Sequence, residues 1–180
     1  MTIVPLVTAA LAAAPSDAPE RVSQVYDQHY QAAPDRVLPL LTPIGERSWA
    51  SDWEPEIRWE PPGGGAGTLF VTRHPGRSAP RTRGTPDTVW VLDVWEPAAG
   101  HVRYVRVTPG SDVTEIDIRL RPDGKDRTIA TVRYTWTSLG EPGVALLRTK
   151  TPEAYRHFMR EWEQELNHFL ITGKKLERGH

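Results

Sequence analysis

The side chains best equipped for chemistry in this sequence are few and scattered. His157, Glu161 and His168 are the kind of nitrogen and carboxylate donors that zinc accepts. On a helix they fall on one side, but Glu161 and His168 are about 10 Å apart along the axis, while zinc ligands must approach to about 2.2 Å. No metal site is expected there, and nothing in the chain calls for a cofactor. Glu46 and Arg47 are adjacent charges just before Trp49. A carboxylate turned into apolar surroundings gains a raised pKa and serves as acid or base. The plainer reading is a surface ion pair or helix-end contact, because no second carboxylate or histidine stands at a spacing that completes an acid/base pair. Catalytic residues are therefore not assigned, and whether the chain is an enzyme stays open.

Other charged and glycine-rich stretches exclude more than they suggest. Arg73, Arg77, Arg81 and Arg83 cluster in a segment rich in Pro, Gly and Ser, which suits a solvated hairpin as well as an acidic partner. With a formal net charge of −1 and no aromatics in that segment, nucleic acid is not an expected partner. Gly63-Gly64-Gly65-Ala66-Gly67 follows two prolines and opens a strand, so it lacks the helix N-terminus of a phosphate loop. No nucleophile elbow, Walker loop or zinc-protease helix motif occurs. The absence of cysteine removes disulfides, thiolate metal sites and cysteine nucleophiles.

These residues need a scaffold, and 180 residues with 38% hydrophobic composition and seven Trp suffice for one domain with a real core. The continuous apolar stretch Ile3 to Ala14 is too short to span a bilayer and carries Pro5. It also lacks the basic start of a secretory signal, so a cytoplasmic location is expected. Pro15 to Glu20 reads as a linker. The expected layout is an N-terminal extension or linker over 1–20, a domain over 21–173 and a tail over 174–180.

Within that domain a β-rich run, Arg21 to Tyr30, precedes a short helical pattern in Arg36 to Leu41 that Pro39 and Pro43 break. Six further β runs follow, about 56–60, 67–74, 87–95, 101–108, 112–121 and 127–138, separated by Pro/Gly turn signals. Their short links predict antiparallel pairing. In the fifth of these runs Thr114, Ile116, Ile118 and Leu120 share a face opposite Val113, Glu115, Asp117 and Arg119. In the next, Ala130, Val132, Tyr134 and Trp136 oppose Arg127, Thr131, Arg133 and Thr135. One sheet face must therefore be covered. The cover is a C-terminal helix with Thr151 as N-cap, Pro152 in its first turn and Gly173 at its end. Tyr155, Phe158, Met159, Trp162, Leu166, Phe169 and Leu170 fall within an arc of roughly 120° on it.

A strand, broken helices, six strands and one long capped helix give the element order of the START-like superfamily. The local text Pro43-Ile44-Gly45-Glu46-Arg47-Ser48-Trp49, Trp53-Glu54-Pro55-Glu56, Tyr104 to Gly110 and Tyr134-Thr135-Trp136-Thr137 resembles a bacterial subgroup of it. The resemblance covers about Arg21 to Thr172. It implies an α+β helix-grip fold, in which a curved antiparallel sheet of six to seven strands wraps the C-terminal helix around a cavity. Bet v 1-like and polyketide cyclase-like proteins share this fold. The resemblance further implies a small apolar or aromatic ligand, with Glu46, Arg47, Trp49 and Trp53 near the cavity mouth and Trp90, Tyr134, Trp136, Phe158 and Trp162 along its walls. The same rings also serve as core. A carrier, a cyclase or dehydratase, and a co-chaperone-like interaction module all fit this fold, which does not choose among them.

Overall fold

A computed structural model of the chain describes residues 20–73 and 87–177. The sequence expectations for 1–19, and for Arg77, Arg81 and Arg83, lie outside the described residues. Seven strands form one curved antiparallel sheet in the order β1-β7-β6-β5-β4-β3-β2. They are β1 (Arg21–Tyr30), β2 (Glu56–Trp59), β3 (Leu69–Thr72), β4 (Thr88–Glu96), β5 (His101–Thr108), β6 (Asp112–Pro122) and β7 (Thr128–Ser138). β2 to β7 run as successive antiparallel neighbours, while β1 closes the far edge by pairing with β7 from Arg21↔Thr137 to Tyr30↔Thr128.

Between β1 and β2 lie the short helix α1 (Pro34–Val37), a 3-10 turn over Leu38–Leu41, and α2 (Pro43–Glu46). The prolines break this region as expected, and Thr42 caps α2 by accepting from the Gly45 amide at 2.9 Å. A further helix, α3 (Glu141–Arg148), was not foreseen from the sequence. Its Gly140, Pro142 and Gly143 look like breakers, yet Gly143 is there because α3 packs tightly on the sheet end. A Cβ at that position would meet the Ser111 carbonyl oxygen at 1.9 Å.

The long helix α4 (Pro152–Thr172) has the expected ends. Thr151 Oγ1 accepts from the Ala154 amide at 3.2 Å, and Gly173 takes the left-handed conformation while its amide reaches Phe169 O at 2.7 Å. Tyr155, Met159, Trp162 and Leu166 are buried, and Phe158, Phe169 and Leu170 pack against the same core. Three side chains fix α4 to the sheet, one of them Asn167, which donates to His29 O of β1 at 2.8 Å. Tyr155 donates to Val132 O at 2.9 Å, and Gln28 donates to Met159 O at 2.8 Å. Alternation puts Glu115, Asp117, Arg119 and Arg133 on the outer sheet face, where Arg21 pairs with Glu115 at 3.2 Å and His101 with Asp117 at 2.8 Å.

Candidate functional site

Because strand residues alternate faces, the register of the sheet lays the covered side chains out in cross-strand rows. The row at one end is polar: Thr72 opposite Thr88, and Asp112 between Thr108 and Ser138. Thr88 and Thr108 join it across the sheet through hydroxyls 3.3 Å apart. The next row reads Phe70, Trp90, Arg106, Thr114, Trp136, one residue per strand from β3 to β7. The third reads Leu92, Tyr104, Ile116, Tyr134. An irregularity between Leu92 and Val94 shifts the parity of β4, so the fourth row is Trp95, Val102, Ile118 and Val132. The covered face thus grades from hydroxyls and charges at one end to aliphatic surface at the other.

The first two rows together carry the charge. Arg106 is 9% exposed and Asp112 1%. Arg106 Nη2 donates to Asp112 Oδ2 at 2.7 Å and to Thr114 Oγ1 at 2.8 Å, and Thr114 in turn donates to Asp112 at 2.6 Å. The guanidinium carbon lies 5.6 Å from the Trp90 ring centroid, and the buried Nε has no hydrogen-bond partner. Lys150, in the link between α3 and α4, sets its ammonium 5.6 Å from the Trp136 ring centroid. Burial holds the Lys150 pKa below the usual lysine value, the nearby Arg106 charge lowers it further, and Asp112 opposes both.

Aromatic rings line the rest. On the sheet, Phe70 stacks on Trp90 with centroids 5.5 Å apart, and Tyr134 lies 5.3 Å from Trp136. From α4, Phe158 meets Tyr134 edge-on at 6.0 Å and lies parallel to Trp162 at 6.4 Å. The segment before β2 adds Trp49, 5.7 Å from Trp162, and Trp53, edge-on to Trp90 at 5.5 Å. Both indoles are anchored by their N–H groups, Trp49 to Leu40 O and Trp53 to Pro43 O, each at 2.8 Å. Trp49 is fully buried, whereas Trp53 and Phe158 are half-buried.

Further inside stand the buried phenols of Tyr30 and Tyr104 and the buried carboxylates of Glu46 and Glu165. Tyr104 donates to Leu41 O and Tyr30 to Gln28 Oε1, each at 2.6 Å. Burial pushes the Tyr104 phenol well above its ordinary pKa, with the Glu46 charge adding to the effect. Tyr30 is raised likewise, by burial first, then Glu163 and Glu46. Glu46 at the end of α2 is 7% exposed, so it is not the surface ion pair that its neighbour Arg47 suggested. Arg47 is exposed and donates to Pro55 O.

Of the residues singled out from sequence, Glu46, Trp49, Trp53, Trp90, Tyr134, Trp136, Phe158 and Trp162 therefore gather around one interior, and Arg47 stands at its rim. His157 pairs with Glu161 at 3.6 Å on the exposed side of α4, apart from this interior. Arg106, Asp112, Thr114 and Lys150 were missed. Arg106 was readable, since it lies two residues after Tyr104 and four after Val102, on the same face of β5.

No protein-family model matches the chain, and no curated protein does. Solved structures match over nearly its whole length. Norcoclaurine synthase from Thalictrum flavum, in complex with dopamine and hydroxybenzaldehyde, superposes with a TM-score of 0.59 at 12% identity, covering 93% of this chain and 99% of that one. The Zhui aromatase/cyclase from Streptomyces sp. R1128 gives 0.59 at 13% identity, covering 87% and 100%. Ara h 8.0201 gives 0.55 at 13%, covering 85% and 99%. At such identities the likeness establishes the fold, which is the helix-grip fold of START-like and Bet v 1-like proteins.

Proposed function

We propose that this chain holds a small aromatic or apolar molecule between the covered face of the sheet and α4. The observation that carries this reading is the second row, in which two indoles, Trp90 and Trp136, stand three strands apart, about 14 Å along the sheet, with polar groups between them. Trp53 and Phe158, from two different elements, meet those walls without being fully buried, as aromatic groups flanking a mouth would. A core needing only to be filled has no use for an arginine there. Native mass spectrometry of the purified protein, together with titration by the neutral dye N-phenyl-1-naphthylamine, tests the reading. Saturable binding to native protein with quenching of Trp emission supports it. Binding that appears only once the protein is partly unfolded defeats it, because the interior is then filled by its own side chains.

One observation favours a second reading, an enzyme of the cyclase or dehydratase kind. Glu46 is a buried carboxylate close enough to raise the pKa of both Tyr30 and Tyr104, so proton donors and an acceptor share one apolar space. The solved structures of similar fold include an aromatase/cyclase and norcoclaurine synthase. In this reading Glu46→Gln abolishes turnover of a polyketide-like or carbonyl substrate while leaving its binding in place; loss of both, or of neither, counts against it.

A further inference from the structure

Resting on the apolar-ligand reading, we propose that Arg106 and Lys150 bind the carboxylate of an aromatic acid, so that the molecule held in the interior is an amphipathic anion. Arg106 spends both of its protein hydrogen bonds from Nη2, on Asp112 and Thr114. Its Nε is buried and has no acceptor. A buried guanidinium with an unused Nε–H takes an acceptor from outside the protein, and a carboxylate oxygen there receives a charge-assisted bond.

The charge balance points the same way. Two cations, Arg106 and Lys150, face one carboxylate, Asp112, which leaves one positive charge in a largely buried place. Lys150 makes no side-chain hydrogen bond to the described residues; its ammonium rests over Trp136, and the depression of its pKa is what an arriving anion would relieve. The rings then define the rest of the molecule. Trp90 lies under Arg106 and Trp136 under Lys150, so a planar body attached to the carboxylate meets indole on both sides.

The test compares 2-naphthoate with its neutral isostere 2-naphthamide by calorimetry on the wild-type chain, Lys150→Met and Arg106→Gln. Naphthoate is expected to bind wild type at least about tenfold more tightly than the amide, the advantage of a charge-assisted pair over a neutral one. Each substitution should erase that preference while leaving amide affinity nearly unchanged. Lys150 is only half-buried and contributes no side-chain hydrogen bond to the described residues, so Lys150→Met keeps the test decisive even where Arg106→Gln, which strands Asp112, fails to fold. Equal affinities in wild type, or a preference that survives Lys150→Met, overturn the anion site while the apolar-ligand reading stands. Binding of neither compound overturns both.

Discussion

Leu166 tests whether α4 is gripped by the sheet as the structure has it. Its side chain is 0% exposed, in the same helical stripe as Met159 and Trp162. Truncation to Ala removes buried methyl groups and leaves a cavity, at a cost of about 2–5 kcal/mol. For a domain of this size each kcal/mol lowers Tm by roughly 2–4 °C, so Leu166→Ala should melt roughly 4 to 20 °C below wild type. Leu166→Asp adds the burial of a carboxylate, and with total stabilities of about 5–15 kcal/mol it should leave little folded protein. The same helix supplies the control. Ile171 is 71% exposed, and Ile171→Asp should lie within about 0.5 kcal/mol of wild type. Urea melts followed by circular dichroism and Trp emission measure all three. Equal effects of Asp at 166 and 171 would refute the packing of α4 described above.

Three further outcomes follow from named contacts. Tyr30, Tyr104 and Tyr155 hold their protons more tightly folded than unfolded, chiefly through burial, so above their ordinary value of 10.0 the unfolded chain releases protons that the folded chain keeps. Stability should be unaffected by these groups below pH 10.0 and fall above it, with tyrosinate absorbance at 295 nm rising together with loss of circular dichroism. Lys150 has the opposite sense for a base: its folded pKa is lowered, so stability should rise with pH from that lowered value up to the ordinary 10.5, and Lys150→Met should abolish the rise in chemical melts taken across that range. Gly143→Ala drives a Cβ into the Ser111 carbonyl and should cost about 1–3 kcal/mol in the same melts, whereas Gly124→Ala, where a Cβ meets nothing, should show only the smaller strain of its turn.

Much of this architecture was legible because alternation and helical periodicity are properties of the chain itself. The six β runs after residue 55 fall within a few residues of β2 to β7, and Thr151 and Gly173 bound α4 as their chemistry requires. The helix α3 was not legible, since eight residues with Pro142 and Gly143 carry too few turns for a period, and Gly143 is explained only by the Ser111 backbone it approaches. At the site, the aromatic residues announce themselves by type. Whether Glu46 faces in or out depends on how α2 sits on the sheet, which local spacing does not encode. The Arg106–Asp112–Thr114 cluster depends on register, because Arg106 and Thr114 are brought opposite each other only by the pairing of β5 with β6.

The central claim, that a ligand lies between the second row of the sheet and α4, is tested most directly through the seven Trp side chains. In protein labelled with 15N at the indoles, titration with N-phenyl-1-naphthylamine should move the Nε1–H signals of Trp53, Trp90 and Trp136 saturably and to one common Kd. The signal of Trp59, which is 54% exposed and takes no part in the aromatic contacts of the interior, should stay in place. Saturable shifts confined to Trp59, or no saturable shift at the three interior-facing indoles, would contradict the claim.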